Sequence, residues 1–494
     1  MGTHQIPIFP VLDENIQYLD EVFKDCDDVV KRSLWIGDHS CQIFLAYMDS
    51  MMDRALVEGN LLKNLMFELK DIPKEDPLTY IEKYGLTSAD VQEETSMDKA
   101  ITAVLSGDTV IFADRCDRAL VISSKDFPSR GVQQAESEVV VRGSKESFSE
   151  AMRLNTVLIR RRIRDTRLKT KQQRIGVRSK TDIAIMYMED LVRDSILEDI
   201  LERLESFEID GILDSGMIEQ LSEENWYSPF PQFQTTERPD KAASALMEGR
   251  IVLIVDNSPM VLLLPTTFGS FFQASDDYYN RWGIVCFTRL LRYVASFIAM
   301  TFPGLYIAVS CFHPEMLPTS LALSFAASRQ GVPFPLAVEV LIMELAFELL
   351  REAGIRLPGP MGSTLGIVGG LIIGQAAVDA NIVSAVVVIV VALTALAAFT
   401  IPNEGFASAF RLIKFYLIAM GAFLGLFGVI VGLISVLIHL NSLKSFNIPY
   451  MMPFVAVKVD PDMDAEDGLI RYPMFKMKKR PIFARQGQKD RLKD

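Results

Sequence analysis

Apolar and polar positions change rhythm along this chain. Over the first 280 residues, short apolar runs with strand spacing alternate with stretches whose apolar residues recur three and four apart. Ile43 to Asp49 and Ile183 to Glu189 read as strands, each leading into an amphipathic helix, over Asp53 to Leu69 and Ser195 to Phe207. From 281 to 440 the polar residues thin out. Four segments there reach the roughly 20 residues that cross a hydrocarbon core: 293–312, 361–378, 382–401 and 415–440. A polar tail follows.

The first region is duplicated. Residues 98–122 and 240–264 align without gaps: Asp98-Lys99-Ala100, Ala103, Gly107, Val110, Asp114 and Leu120 recur as Asp240-Lys241-Ala242, Ala245, Gly249, Val252, Asp256 and Leu262. The shared pattern predicts a short helix ended by a left-handed glycine cap, then a hairpin of two apolar strands turning at Asp114-Arg115 or Asp256-Asn257. We expect two copies of one α/β unit, over about 25–125 and 165–270. Between them a helix over 148–163 ends in Arg160, Arg161, Arg162, Arg164, Arg167 and Lys169. That run reads either as a docking site for anionic lipid or an acidic partner, or as a solvated helix end complementing the helix dipole.

Charge separates the same regions. Residues 1–280 carry 31 Lys+Arg against 49 Asp+Glu, residues 281–440 carry 8 against 7, and residues 441–494 carry 11 against 7. The acidic body argues against nucleic acid as a partner, since a phosphate backbone selects a basic surface. The five cysteines have neither disulfide-framework nor zinc spacing, and no Gly-rich phosphate loop, serine elbow or metal-spaced histidine pair occurs. No catalytic residue, metal or cofactor is expected, and the reading is not an enzyme. Met1 to Phe9 lacks the pattern of a cleaved signal peptide, so insertion is expected from the internal segments. Arg281, Arg289 and Arg292 before the first segment then place the acidic body in the cytoplasm.

Three features of the apolar block carry candidate chemistry. Pro303-Gly304 falls within the first segment and predicts a helix break. Gly362, Gly366, Gly370 and Gly374, followed by Gln375, and Gly421, Gly425, Gly428 and Gly432 provide close approach of helices, either within one chain or between copies around an axis. The stretch 334–350 holds Glu339, Glu344 and Glu348 in apolar surroundings, with Glu352 next on the stripe. These carboxylates pair with Arg351 and Arg356 or line a cation path, and Glu344, with no Lys or Arg within four positions, is the first candidate. We expect four crossings, with 317–352 interfacial or re-entrant. The division is 1–145 and 146–280 for the α/β subdomains, 281–440 for the all-α polytopic membrane domain, and 441–494 for a basic tail.

Several strings then resemble one family. His313-Pro314-Glu315-Met316, Arg329-Gln330-Gly331-Val332-Pro333-Phe334-Pro335, Arg351-Glu352-Ala353-Gly354-Ile355-Arg356-Leu357-Pro358, Gly374-Gln375-Ala376-Ala377-Val378 and Phe399-Thr400-Ile401-Pro402-Asn403 are similar to the A subunits of GerA-type spore germinant receptors. The resemblance implies a multi-pass protein of the bacterial spore inner membrane with a cytoplasmic α/β domain. It implies a transporter-like B subunit and a lipoprotein C subunit as partners, and a ring of A subunits, proposed as pentameric, that gates monovalent cations. On this chain the 362–374 helix becomes a pore or ring-interface element, and Glu344 and Glu348 become cation contacts. A SpoVAF-like accessory channel or scaffold is the alternative, and a secondary transporter is disfavoured because no inverted repeat is visible.

Overall fold

The computed structural model describes residues 6–37, 40–70, 72–73, 75–86, 90–126, 135, 138–356, 360–455, 467–488 and 490–491; within 360–371 it describes the side chains of 369 and 370 only. The chain forms two units. The first comprises 1–223, 233–265 and 478–494, and the second 224–232 and 266–477.

The first unit contains two subdomains with one topology. In subdomain one, helix α1 (Leu12–Val22) precedes strands β1 (Val29–Ile36) and β2 (Cys41–Met48). A wide π-helical stretch (Ala55–Leu62, Asn64–Glu68) leads to β3 (Val91–Glu94), α2 (Met97–Leu105), β4 (Thr109–Ala113) and β5 (Ala119–Ile122). Subdomain two runs α3 (Met152–Arg160), β6 (Leu168–Ile175), β7 (Thr181–Met188), α4 (Asp194–Glu205), α5 (Ser215–Ser222), β8 (Gln234–Thr236), α6 (Pro239–Met247), β9 (Ile251–Val255) and β10 (Val261–Leu264). The antiparallel sheets have the orders β1-β2-β4-β5-β3 and β6-β7-β9-β10-β8. Alternate residues of the first sheet enter opposite cores. Phe44, Ala46, Val110 and Phe112 pack with α1 and α2, while Ile43, Leu45 and Ile111 pack with the π-helical stretch.

The expected glycine caps are present, with Gly107 at φ +93° and Gly249 at φ +85° directly after α2 and α6. The duplication also reaches further back than 25 and 165. Asn15 and Asn155, both fully buried, each tie down the chain six residues earlier: the Asn15 amide bonds both polar groups of Phe9, and Asn155 does the same for Ser149. Asp114 and Asp256, expected only as turn residues, accept hydrogen bonds from the first amides of α1 and α3, at Leu12 and Met152. The helix expected between the copies is therefore the first helix of the second copy.

Part of its basic end is used internally, Arg160 and Lys169 being buried, while Arg164 and Arg167 stay exposed as a solvated helix end would be. Arg160, 1% exposed, joins the subdomains: Nε donates to Asp28 Oδ2 at 2.7 Å and Nη2 to Asp28 Oδ1 at 3.0 Å. Arg161 and Arg162 pair with Glu146, Arg167 with Asp165 and Asp190, and Lys169 with Glu189. The expected tail also divides, because 478–494 belongs to the first unit. Arg485 N donates to Leu191 O at 2.8 Å, and the Arg193 guanidinium donates to the carbonyls of Ile482 and Ala484.

One carboxylate in this unit gives a pH prediction. Burial, with Glu223 and Asp214 nearby, pushes the Glu219 side chain on α5 up to about 7 from its ordinary 4.5. Below pH 4.5 it is protonated folded and unfolded, and costs nothing. Between 4.5 and 7 the unfolded chain ionises first, and above 7 the penalty is complete. Partial exposure screens it, so Glu219→Gln is expected to stabilise the protein by about 1–2 kcal/mol at pH 8 and not at pH 4. Thermal melts across that range check it; a gain independent of pH would reject the burial argument.

The second unit is helical: α7 (Trp282–Phe312), α8 (Thr319–Ser328), α9 (Leu336–Arg356), α10 (Pro360–Asp379), α11 (Ala385–Ala398) and α12 (Glu404–Ser442). Helix α7 continues through Pro303, so the expected break is absent there. The departure falls instead at Gly425, whose φ +61° and ψ −145° interrupt α12. Tyr416 Oη lies 2.9 Å from Ser435 Oγ across this point. In a straight helix those residues would be about 28 Å apart. Residues 404–424 and 426–442 therefore form a tight antiparallel pair, where a single segment over 415–440 was expected. Gly421, Gly425, Gly428 and Gly432 serve packing within the chain: added Cβ atoms would meet Gly304 O at 2.5 Å, Phe312 Cγ at 2.9 Å, Met420 O at 2.1 Å and Leu417 Cδ2 at 2.6 Å.

Two of the three arginines before the first apolar segment, Arg289 and Arg292, are neutralised locally, while Arg281 is exposed. Arg289, fully buried, reaches Asp277 at 3.1 Å and Asp467 at 2.8 Å, and Arg292 reaches Asp277 at 2.8 Å.

Candidate functional site

The three candidate glutamates lie on α9, a helix that starts after Pro335 and puts Glu339, Val340, Met343 and Glu344 on its buried face. A carboxylate on that face, out of water, requires partners. Each receives them from other elements.

Glu339 is fully buried with both oxygens engaged. Oε1 accepts from Arg329 Nε at 3.1 Å, and Oε2 accepts from the backbone amide of Ser384 at 2.9 Å. Ser384 caps α11 without using its own side chain, so Glu339 supplies the anion that helix's N-terminus favours. This glutamate ties α8, α9 and α11 together, with a hydrogen bond on each oxygen.

Glu344 and Glu348 meet the first half of α12. Lys414 Nζ donates to Glu344 Oε2 at 2.5 Å and lies 3.4 Å from Glu348 Oε1. Arg411 stands 3.7 Å from Glu348 Oε2. The Lys414 and Glu344 side chains are 7% and 2% exposed, while Glu348 is 30% exposed. Glu344 Oε1 is buried and has no hydrogen-bond partner among the described residues. Val340, Met343, Val387, Val390, Val391 and Ile418 build the apolar wall on this side of the unit.

The partners expected from sequence are partly different. Arg356 pairs with Glu352 as its spacing suggests, but Arg351 pairs with Glu404. Glu344 has no cation within four positions of sequence, yet its partner lies 70 residues away. Sequence reasoning missed Lys414 and Arg411. The available signal was two cations three apart, immediately before a long apolar run, on one face of a helix.

Helix α10 spans the glycine series. An added Cβ at Gly370 would lie 3.6 Å from the Phe347 ring, and one at Gly374 would lie 3.2 Å from Val388 Cγ1. These two glycines fit α10 against α9 and α11 of the same chain. The surroundings of Gly362 and Gly366 lie outside the described residues. Gln375 is exposed. Gly304 has its role in a crossing: its Cβ would fall 2.7 Å from Leu417 O, so α7 and α12 touch backbone to backbone. Among the described residues, no group of three or more His, Cys, Asp or Glu is arranged to hold a metal ion.

Comparison with known proteins agrees with the family strings. A family model described as the Bacillus/Clostridium GerA spore germination protein matches residues 17–483. Spore germination protein A1 of Bacillus subtilis is 39% identical over 93% of this chain and 94% of its own length. Spore germination protein KA of the same organism is 39% identical, over 96% and 87%. The Bacillus subtilis membrane protein YfkQ is 38% identical, over 96% and 91%. The crystal structure of the N-terminal domain of the A subunit of the Bacillus megaterium spore germinant receptor GerK3 covers 53% of this chain and 98% of that one, at 29% identity and a TM-score of 0.43. With the match running through both the α/β unit and the helical unit, the chain belongs to the GerA family of spore germination proteins.

Proposed function

We infer that this chain is the A subunit of a spore germinant receptor, and that it works as an oligomeric membrane protein that passes monovalent cations in response to germinant. One observation carries the reading: charged side chains enclosed in apolar helices, with Glu344 and Glu348 against Lys414 and Arg411. A unit needing only cohesion is commonly as stable or more so with well-packed hydrocarbon there. Ionisable groups held inside a membrane bundle point to ion handling.

Membrane placement is supported by the long apolar helix Trp282–Phe312 and by the apolar stretch Glu404–Ser442, which the turn at Gly425 divides into two shorter helices. It is also supported by the relative named as a membrane protein. Segments preceding and following the helical unit in sequence fold together in the first unit. The reading therefore takes an even number of crossings, with the two halves of α12 counted separately. In this reading the α/β unit is cytoplasmic and the membrane is the spore inner membrane. A transporter-like B subunit and a lipoprotein C subunit complete the receptor. A ring of A subunits, five in number, meets around the exposed face of α10 that carries Ile372, Ile373 and Gln375.

The test is planar-bilayer conductance of the assembled receptor, wild type against Glu344→Gln/Glu348→Gln. The wild type is expected to pass a cation-selective current when germinant is added, and the double variant to alter its size or selectivity. Unchanged current from a correctly assembled variant would remove these carboxylates from the path.

A further inference from the structure

The Glu344 site has an imbalance that pairing alone does not explain. Glu348 is shared between Arg411 and Lys414, whereas Glu344 has Lys414 alone. One of its oxygens, in a side chain 2% exposed, faces no donor among the described residues. A structural ion pair in an apolar interior is expected to satisfy both carboxylate oxygens. A coordination site for a bare cation has the opposite need, since oxygens must stay available.

We propose that the Lys414 ammonium is a tethered surrogate for a monovalent cation: here it fills the Glu344/Glu348 site, and its withdrawal opens that site to potassium or sodium ions. This rests on the conducting reading above and adds its regulation. Charge sets the ligand class. Without the ammonium, two carboxylates face one guanidinium, leaving one uncompensated negative charge that one monovalent ion neutralises. Geometry supports the exchange. The ammonium already sits between Glu344 Oε2 and Glu348 Oε1, at 2.5 and 3.4 Å, and Glu344 Oε1 supplies a further oxygen. Lys414 lies on the first half of α12, so a shift of that helix against α9 moves the ammonium without unfolding either. The Phe415 ring, 5.1 Å from Nζ, already contacts the ammonium, and as a neighbour of Lys414 in sequence it moves with it.

The experiment uses full-length protein in detergent. Lys414→Met removes the tethered charge but keeps most of the side-chain volume. Its melting temperature is expected to rise with potassium chloride over N-methyl-D-glucamine chloride at equal ionic strength, because a bound ion stabilises the folded state. It should retain about tenfold more rubidium-86 than wild type. Lys414→Met/Glu344→Gln, with charge balance restored, should fold and show neither effect. Equal melting in both salts with no rubidium retained overturns the proposal. So does a Lys414→Met protein recovered in neither salt while the double variant is recovered, since no free cation then replaces the ammonium. Vesicle flux separates this from the conducting reading. Potassium-dependent stability without flux leaves the site standing and removes conduction.

Discussion

Gly421→Leu is expected to leave no folded helical unit: protein that aggregates on size exclusion in detergent and loses protease resistance across 266–477. At this crossing the contact is backbone to backbone. A Cβ on Gly421 would lie 2.5 Å from Gly304 O, and one on Gly304 would lie 2.7 Å from Leu417 O. Neither carbonyl can rotate away without breaking its own helix. An oversized side chain in an ordinary core costs about 1–3 kcal/mol because neighbouring side chains adjust. Here α7 and α12 must separate along their length, and the hairpin at Gly425, seated against Phe312, goes with them. Gly421→Ala should already be visibly destabilised. Gly283, on α7 with open space around its Cβ position, is the control, and Gly283→Ala should match wild type. Wild-type elution and melting of Gly421→Leu would mean that α7 and α12 do not cross here.

The second large effect belongs to the subdomain junction. Arg160→Met leaves Asp28 buried with one hydroxyl donor, Thr170 Oγ1 at 3.4 Å, against the charge. Breaking a buried pair from one side costs about 3–5 kcal/mol, whereas Arg160→Met/Asp28→Leu should recover most of it. Cys26 reports the event. It is 5% exposed, burial pushes its thiol up, and its backbone bridges to Thr170 of the second subdomain. Maleimide labelling of Cys26 through opening of the junction should accelerate by roughly a hundredfold in Arg160→Met, the lower end of that cost. It should return near wild type in the double variant. Unchanged labelling in the single variant would show that the ion pair does not hold the subdomains together.

What the sequence disclosed follows the range of the interactions involved. The hairpins of both copies were legible because short apolar runs, the glycine caps and the Asp turns are local, and duplication repeated them. Helices α1 and α3 were not recognised as equivalents. They share the Asn15 and Asn155 anchor but little else, and the polar end of α3 suggested a surface role. The family strings, from His313 to Asn403, were read correctly because they are long and ordered. The turn at Gly425 was hidden because an uninterrupted apolar run reads as one helix, and glycine within such a run signals packing as readily as reversal. The candidate glutamates were found from their cost in apolar surroundings. Their partners were missed because contacts 70 residues apart leave no periodicity to detect.

The docking of residues 482–485 on Leu191 and Arg193 bears on how the protein is made. Translation delivers the second subdomain first and its last covering segment only after the helical unit. Until then the Leu191 carbonyl, the Arg193 guanidinium and the Gly249 turn wait for ligands that the ribosome still holds. A chain clipped before residue 478 would therefore leave the patch around Leu191, Arg193 and Gly249 uncovered, with the α/β unit incomplete though every strand of it is present.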